Sequence, residues 1–419
     1  MAEAYIIDTV RTPRSIGKMG KGALSVMHPE HLSAAVLAAL KERNNLETAH
    51  VDDVIWGVSA GMGLQAGDIG RNAALDAGYD VKAGGVTLNR FCGSSITATN
   101  FAAGMVMAGM HDLAISGGME MMSYVNFYGM KMREAGLGGG GMGTGNPRLQ
   151  AKHPQSNQGV CADAIAAMEG ITREDLEKMG VESQRRAAVA LAEGRFARST
   201  IVVRDDAGNV ILDHEEYPRP DTTLEGLAQL KPAFEMFLDM PSQPEGKTYR
   251  QLINQVYPDV DIKPIHHVGI SSGVVDGAAA VLIASKDYAE KHGLKPRARI
   301  VAMTEIGDCP TLMLNAPVPA AKKVLAKAGL TKDQIDVWEV NEAFAVVVEK
   351  FIRDLDLDRA KVNPNGGSIA LGHPIGGTGA MLIGTALDEL ERTGGRYGLI
   401  TMCAAGGMAP AIIIERIDG

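Results

Sequence analysis

The sequence predicts an α/β fold built from two similar halves around a mostly parallel sheet. The first observation is an alternation of short apolar, strand-like runs with helical segments from Tyr5 to about Gly118. The second is that the same alternation returns from about Arg297 to the end of the chain. The third is a change of texture between these stretches, which indicates an inserted lobe and not a third sheet.

The predicted elements of the first half follow one another as βαβ units. They are a strand from Tyr5, a strand at 54–57, a helix near 68–77, a strand at 86–88, a helix at 94–108 and a strand at 113–116. The second half repeats them, with 335–340 similar to 51–55, 362–365 similar to 86–89 and 399–402 similar to 114–117. This repeat has a period far too long for a solenoid and predicts two similarly built halves.

Between the halves lies a glycine-rich stretch at 136–145, a charged helix at about 173–193 and prolines at 218, 220, 241 and 244. Gly138, Gly140 and Gly143 have the spacing of a nucleotide-binding loop. No strand precedes them and no Lys-Ser or Lys-Thr follows, so we interpret the stretch as a flexible loop.

Strand texture returns at 269–283 and is predicted to complete the sheet of the first half. We therefore expect an N-terminal half at 1–121 completed by 265–296, an inserted loop domain at 122–264 and a C-terminal half at 297–419.

The composition limits the classes of function. Of the 419 residues, 46% are hydrophobic and 22% are charged, the net charge is -9, and no apolar run is long enough to span a membrane. These values exclude a disordered chain and argue against a nucleic-acid binder that relies on bulk positive charge. Four scattered cysteines and a start without a secretory leader predict a cytoplasmic protein with reduced thiols.

The first cluster with chemical potential is Asn89-Arg-Phe-Cys92-Gly-Ser-Ser, where a strand-like run gives way to an apolar helix. This order places Cys92 at a helix N-terminus. There the helix dipole and the unpaired N–H groups favour a thiolate, and they can also bind the oxyanion once the sulfur is acylated. A buried structural cysteine is the alternative.

A second candidate is His373, which glycines surround between Gly366 and Gly379. Glycines let the backbone pass close to a ligand, and an imidazole can act as the base for a thiol. The alternative is a structural histidine.

Two more clusters follow predicted strands in the second half. Cys403 follows the strand-like run at 399–402 and is a candidate acid or base. Asn341 and Phe344 follow the run at 335–340, and ligands gather at the carboxyl ends of strands in open α/β sheets. An ordinary loop is the alternative for this last cluster.

Together the clusters resemble the hallmark motifs of the thiolases, the acyl-CoA C-acyltransferase family. These segments are Asn89-Arg-Phe-Cys92, Asn341-Glu-Ala-Phe344, Gly372-His373-Pro and a final Cys403 followed by glycines, in the family's order and spacing. The resemblance covers nearly the whole chain. It implies the thiolase fold, in which two βαβαβαββ halves form a five-layer αβαβα sandwich with an inserted loop domain.

The resemblance also implies a division of roles. Cys92 would be the nucleophile that carries the acyl group as a thioester, and His373 would be the base that activates it. Cys403 would move the proton at Cα of the acetyl group. Asn341, through a water, would stabilise the enolate oxygen together with His373, and the N–H groups of Cys92 and Ala405 would form a second oxyanion site. No metal and no permanently bound cofactor are expected.

Coenzyme A would be a substrate, and the resemblance suggests its contacts. Arg219 would lie near a phosphate and Ser272 near the pantetheine, while Gly118 and Phe344 would line the cleft. Such contacts would meet an anionic ligand locally in a chain that is acidic overall.

Three departures from the usual thiolase sequence concern the acyl site. Ala405 stands where glycine is usual, a variant similar to the fatty-acid-degrading trifunctional-enzyme branch. Asn157-Gln158 replaces a usual histidine and methionine, and additional residues lie around 235–264. The preferred acyl chain therefore stays open.

The implied function is a CoA-dependent thiolase of fatty acid metabolism that cleaves 3-ketoacyl-CoA into acetyl-CoA and a shortened acyl-CoA, reversibly. A biosynthetic acetyl-CoA acetyltransferase is one alternative, and a non-catalytic protein that binds acyl-CoA or lipid is another. We expect small acyl-CoA partners, no nucleic acid, no membrane insertion, and a homodimer or homotetramer.

Overall fold

The computed structural model describes residues 3–135, 146–242 and 246–417. The glycine-rich stretch at 136–145 and Pro244 lie outside these residues. The first half contains, in chain order, β1 (Ala4–Arg11), β2 (Ser15–Ile16), α1 (Pro29–Arg43), β3 (Asp53–Gly57), α2 (Ile69–Asp76), β4 (Val86–Leu88), α3 (Ser94–Met107) and β5 (Leu113–Met121).

The inserted lobe is mainly helical. It contains α4 (Met122–Glu134), α5 (Pro147–Lys152), α6 (Gln158–Glu169), α7 (Arg173–Ala192), β6 (Val203–Arg204), β7 (Val210–Leu212), α8 (Leu224–Ala228), α9 (Glu235–Leu238) and α10 (Tyr249–Asn254). Helix α7 is the charged helix predicted from the sequence. The strands β6 and β7 form a short antiparallel ribbon that the sequence did not predict.

The chain then returns to the sheet of the first half with β8 (Val275–Ser285), which α11 (Lys286–His292) follows. The elements of the second half are β9 (Ala298–Gly307), α12 (Pro317–Ala328), β10 (Val337–Val340), α13 (Ala345–Leu355), α14 (Ser368–Leu371), α15 (Thr378–Thr393), β11 (Tyr397–Thr401) and β12 (Met408–Arg416). Strand β8 lies between β1 and β5, so it completes the sheet of the first half as the sequence predicted.

The strands follow the order β10-β11-β12-β9-β1-β8-β5-β3-β4, with β2 paired to β8. In each half one strand, β8 or β12, runs antiparallel to the strands on both its sides, and the neighbouring pairs β3·β4, β3·β5 and β10·β11 are parallel. In the part of the chain that the structure describes, the two half-sheets join where Tyr5 and Ile6 pair with Arg299 and Ala298. The predicted internal repeat is therefore confirmed for the antiparallel strands β8 and β12 and for the parallel pairs β3·β5 and β10·β11.

One predicted strand of the second half is wrong. The stretch at 362–365 was expected to match β4, but Val362 makes only an isolated parallel bridge to Trp338. A single turn of 3-10 helix at Arg359–Lys361 runs directly into it, so the chain has no extended length left for a full strand.

Alternating side chains of the buried strands separate the layers. On β8, Ala280 and Leu282 pack with α1 and α2, while Val281 and Ile283 pack with α3 and α15 on the other face. The second half is built in the same way, with α12 and α13 on its outer face. The five layers are therefore helices, half-sheet, central helices α3 and α15, half-sheet, and helices.

The two central helices approach each other closely at their N-termini. A Cβ added to Gly379 of α15 would lie 2.6 Å from the backbone nitrogen of Ile96 in α3. Only glycine allows this contact. Because Cys92 lies just before the N-cap of α3 and His373 lies in the loop that leads into α15, the fold brings both candidates to one place.

Candidate active site

A cavity of about 160 Å³ opens where the N-termini of α3 and α15 meet. Five residues predicted from the sequence line it: Cys92, His373, Ser272, Phe344 and Ala405. The other lining residues are Ser59, Phe91, Met122, Gln158, Gly273, Val274, Ala343 and Ile375. The cavity therefore gathers residues from both halves and from the inserted lobe.

A strained turn holds Cys92 at the start of α3. Phe91 has a φ of +50°, which is rare for a bulky residue. Its backbone N–H donates to Oδ1 of Asn89 at 2.7 Å. The hydroxyl of Ser94 donates to the carbonyl oxygen of Phe91 at 2.6 Å. Gly93 is the N-cap, so the sequence-based placement of Cys92 at a helix N-terminus is confirmed.

The thiol of Cys92 is not pre-ionised. Burial raises its pKa to about 12, a hydrogen bond from its own backbone N–H lowers it, and the Glu120 carboxylate adds a smaller increase. Desolvation therefore outweighs this hydrogen bond in the unliganded protein. Proton removal needs a base next to the sulfur.

His373 has the properties of that base. Its Nδ1 lies 2.6 Å from the hydroxyl of Thr378, which itself donates to the carbonyl oxygen of Pro374 at 2.9 Å. Nδ1 therefore carries the proton and Nε2 has the free lone pair. Burial and the charge of Arg14 lower the pKa of His373 to about 3, so the ring is neutral and can accept a proton.

A hydrogen bond from Ser368 fixes the side-chain amide of Asn341 next to His373. The hydroxyl of Ser368 donates to its Oδ1 at 2.6 Å, so the amide NH₂ group faces His373, with Nδ2 3.4 Å from Nε2. Asn341 is almost fully buried. The amide nitrogen of Asn341 and Nε2 of His373 are therefore neighbours and can contact the same ligand atom.

Cys403 follows β11 and lies in a tight turn into β12. Ala404 and Met408 exchange backbone hydrogen bonds of 2.7 and 3.1 Å across this turn. Burial raises the pKa of Cys403, and the thiol of Cys92 raises it further, which reflects how near the two sulfurs are. The turn also packs on the nucleophile segment, since a Cβ added to Gly93 would lie 3.5 Å from the Ala404 Cβ.

Gly118 does not line the cavity. It lies beneath the loop that carries His373, and an added Cβ would collide with the carbonyl oxygens of Gly376 and Gly57. The resemblance to the thiolases made it a candidate for the cleft. The structure instead places it as a support of the loop.

Arg219 is exposed and lies outside the cavity. Its guanidinium stacks over the ring of Tyr217 at 5.4 Å from the ring centroid. The backbone N–H of Arg219 donates to Oε1 of Gln184 at 2.8 Å. The same tyrosine ring packs on Gly273, which lines the cavity. Arg219 is thus one aromatic ring away from the cavity wall.

Sequence reasoning missed Glu120, which fixes the loops around the cavity. Its buried carboxylate accepts hydrogen bonds from Ser59 N at 2.9 Å, Gly376 N at 2.9 Å and Gln65 Nε2 at 2.7 Å. The available signal was a lone acidic residue within an otherwise apolar strand. Thr378 and Ser368, which orient His373 and Asn341, carried no such signal.

The described residues contain neither a membrane-spanning helix nor a cluster of metal ligands. None of their helices has the length and apolar character needed to cross a membrane. In those same residues, no group of three or more His, Cys, Asp or Glu side chains is placed to hold a metal ion.

Comparison with known proteins gives a consistent result. The family described as "Thiolase, N-terminal domain" matches residues 4–237, and "Thiolase, C-terminal domain" matches residues 294–416. A beta-ketoadipyl-CoA thiolase of Acinetobacter baylyi is 41% identical over the full length of both chains. The steroid 3-ketoacyl-CoA thiolase FadA6 of Mycobacterium tuberculosis is 40% identical over 100% of this chain and 95% of its own. The 3-oxoadipyl-CoA/3-oxo-5,6-dehydrosuberyl-CoA thiolase of Escherichia coli is 40% identical over both full lengths.

Proposed function

The chain belongs to the thiolase family and is a CoA-dependent acyltransferase that cleaves 3-ketoacyl-CoA, and we propose that Cys92, His373, Cys403 and Asn341 carry this reaction. The observation that carries the proposal is the pairing of a buried, protonated thiol with a neutral imidazole whose Nε2 is unprotonated, in one cavity. This is the arrangement needed to activate a nucleophile that is not already ionised.

In the first half-reaction, His373 Nε2 takes the proton of Cys92 and the sulfur attacks the 3-keto carbon of the substrate. The bond between C2 and C3 breaks, and its electron pair remains on the acetyl-CoA enolate. Cys403 gives its proton to C2 of that enolate, so acetyl-CoA leaves and Cys403 remains as a thiolate. Cys92 then holds the shortened acyl group as a thioester.

The second half-reaction returns every proton. The Cys403 thiolate takes the proton of the CoA thiol, whose sulfur attacks the acyl carbon on Cys92. The Cys92 sulfur leaves and recovers its proton from His373. Asn341 and His373 stabilise the enolate oxygen, and the N–H groups of Cys92 and Ala405 stabilise the oxyanion on the attacked carbonyl.

We further propose that the pantetheine of coenzyme A passes Ser272 and Phe344, and that Arg219 binds a CoA phosphate at the outer side of Tyr217. The stacking of Tyr217 on Gly273 supports this path, because it connects the exposed guanidinium to the cavity wall. CoA is a substrate in this scheme, and the proposal includes no resident cofactor.

The proposal also covers the domain organisation, the cellular location and the oligomeric state of the protein. Three domains, at 1–121 with 265–296, at 122–264 and at 297–419, would divide the work, with the middle one shaping the acyl site. The contribution of Gln158, on α6, to the cavity supports that role. We propose a cytoplasmic homodimer or homotetramer that acts in fatty acid metabolism.

The small size of the cavity favours a second candidate function. A volume of about 160 Å³ suits a short acyl group, as in a biosynthetic acetyl-CoA acetyltransferase that forms acetoacetyl-CoA. The chemistry would be the same. The two candidates differ in the size of the acyl group and in the direction of flux.

The test is a thiolysis assay with CoA and 3-ketoacyl-CoAs from acetoacetyl-CoA to long and bulky chains. We expect Cys92→Ala to abolish thiolysis and the covalent acyl-enzyme detected by intact-protein mass spectrometry. Cys161→Ala is the matched control, since Cys161 is another free, buried cysteine, and it should retain activity. Turnover by Cys92→Ala at the wild-type rate would refute the assignment.

A further inference from the structure

Both chain neighbours of Asn341 are bonded by one side chain, that of Asn363. Its Oδ1 accepts from the backbone N–H of Val340 at 2.8 Å, and its Nδ2 donates to the carbonyl oxygen of Val340 at 2.8 Å. The same Nδ2 donates to Oε1 of Glu342 at 3.1 Å. Asn363 is buried and has a φ of +46°, a region that asparagine tolerates better than most residues. The backbone that carries Asn341 away from β10 therefore has a fixed position.

The side-chain amide of Asn341 is held from another segment, the start of α14. Ser368, whose hydroxyl donates to Oδ1 of Asn341, lies between two residues that contact Glu342. On one side, Ile369 N donates to Oε2 of Glu342 at 3.1 Å. On the other side, a Cβ added to Gly367 would collide with the Glu342 carboxyl group. The backbone around Ser368 is therefore packed on this carboxyl group.

Ser183 of α7 completes the arrangement. Its hydroxyl donates to Oε2 of Glu342 at 2.7 Å and accepts from Gly367 N at 3.1 Å. Ser183 and Glu342 are each 3% exposed, and neither is among the residues that line the cavity. They can therefore act on the reaction only through the residues that they hold. Because α7 belongs to the inserted lobe, this lobe reaches the candidate active site through one hydroxyl and one carboxylate.

We propose that Glu342 and Ser183 are positioning residues that hold the amide of Asn341 in the orientation that the enolate oxygen needs. This inference rests on the proposed function, because it assigns Asn341 to the enolate step. With its Oδ1 bonded to Ser368, the amide directs its NH₂ group towards His373. A shift of Ser368 would let the amide turn its oxygen to the same point, where an acceptor repels the negative charge of an enolate.

The hydrogen bonds around position 342 require a carboxylate, because every partner of its two oxygens is a donor. A glutamine at this position would direct its NH₂ group at the N–H of Ile369 or at the NH₂ group of Asn363. Asn363 cannot rotate its amide to adapt, since Val340 is bonded to both ends of it. Glu342→Gln should therefore displace the start of α14 while it changes the volume of the side chain very little.

The test compares the enolate step with acylation in Glu342→Gln. Deuterium exchange into the methyl group of acetyl-CoA measures the enolate step, which uses Asn341, and acetylation of Cys92 by acetyl-CoA measures acylation, which does not use it. We expect exchange to fall roughly 10- to 100-fold, and acetylation to stay within about threefold of wild type. An equal fall in both rates would indicate a merely structural role and would overturn the proposal, as would exchange at the wild-type rate.

Ser183→Ala is a second variant that removes only one hydroxyl group. It takes one donor from Glu342 and one acceptor from Gly367 N, so exchange should fall about fivefold and acetylation should again be retained. Glu349→Gln is the matched control, because Glu349 is another buried carboxylate, 2% exposed, on α13. The control should keep the wild-type ratio of exchange to acetylation, and a fall in this ratio as large as in Glu342→Gln would overturn the proposal.

A double-mutant cycle determines whether Glu342 acts through Asn341. Asn341→Ala should itself lower exchange, and adding Glu342→Gln should then lower it by less than about twofold more. A full further loss in the Asn341→Ala background would overturn the proposal, since Glu342 would then act by another route. Failure of the wild type to form an acetyl-enzyme would refute the proposed function and this inference with it. Wild-type exchange in Glu342→Gln and Ser183→Ala, in an enzyme that does acetylate Cys92, would overturn this inference alone.

Discussion

The ring of His373 donates from Nδ1 to the hydroxyl of Thr378, the first residue of α15. This hydroxyl donates its hydrogen to the carbonyl oxygen of Pro374, so towards His373 its oxygen can only accept a hydrogen bond. Helix α15 therefore selects the tautomer of the imidazole. The proton acceptor of the site is set by the start of a helix that belongs to the core.

Thr378→Val should impair the activation of Cys92. Valine keeps the shape of threonine but leaves the Nδ1–H of His373 without a partner, at a cost of about 1–3 kcal/mol. If this cost falls on the active tautomer, kcat/KM for thiolysis should drop roughly 10- to 100-fold. Thr378→Ser keeps the hydroxyl and is the control, which should stay near the wild-type value. Equal activity of the valine variant and the wild type would contradict the tautomer assignment.

The acetylation of Cys92 should not follow an ordinary histidine titration. Burial and Arg14 lower the pKa of His373 to about 3, so the ring stays neutral as the pH falls from 8 to 5. A histidine with an unperturbed pKa of about 6.5 would instead become protonated and lose this function in that range. The measurement is the rate of Cys92 acetylation by acetyl-CoA across that range, with the fold monitored by tryptophan fluorescence. A midpoint near the unperturbed value, in protein that remains folded, would contradict the prediction.

Reactivity of the free thiol gives an independent test of the electrostatics. The pKa of Cys92 is raised to about 12 by burial, so its alkylation by iodoacetamide should keep rising about tenfold per pH unit through the mildly alkaline range. Peptide mass spectrometry measures modification at each cysteine separately. A plateau that begins near neutral pH would mean that Cys92 is already a thiolate in the unliganded protein.

The local parts of the site were predictable from the sequence because local order decides them. Cys92 lies at a helix start because a strand-like run, small residues and an apolar helix follow one another in the chain. The repeat between the halves likewise follows from the pattern of apolar runs. The prediction of a strand at 362–365 is wrong because a 3-10 turn at Arg359–Lys361 runs directly into Val362, which makes only an isolated bridge to Trp338.

Contacts between distant segments were not predictable in this way. Glu120 bonds both Ser59 and Gly376, and nothing in the local sequence tells which backbone groups a buried carboxylate will meet. Gly118 supports a loop instead of lining the cleft because that loop crosses directly above it.

Cys403→Ser should separate the two chemical steps. Cys92 and His373 remain intact, and the CoA sulfur can leave as a thiolate without the proton of Cys403, so Cys92 should still accept an acetyl group from acetyl-CoA at a rate within about tenfold of wild type. Proton transfer at C2 should be lost, which lowers thiolysis of acetoacetyl-CoA by roughly 10²- to 10⁴-fold. Acyl-enzyme formation and deuterium exchange into the methyl group of acetyl-CoA measure these steps. Cys309→Ser is the control, and equal loss of both steps in Cys403→Ser would contradict the division of roles.

Gly118→Ala should displace the loop that carries His373, although the new methyl group does not enter the cavity. The new Cβ would press on the backbone carbonyl oxygens of Gly376 and Gly57, which cannot rotate away, so the loop that carries His373 must shift. Overpacking of this kind costs about 1–3 kcal/mol, and we expect a lower Tm together with a clear fall in kcat. Gly104→Ala is the matched control, because Gly104 lies within α3 and an added Cβ meets no atom within 4 Å. That variant should be neutral or gain up to about 1 kcal/mol in unfolding free energy from better helix propensity. Wild-type Tm and kcat in Gly118→Ala would show that the loop yields without displacing His373, and Gly118 would then have no supporting role.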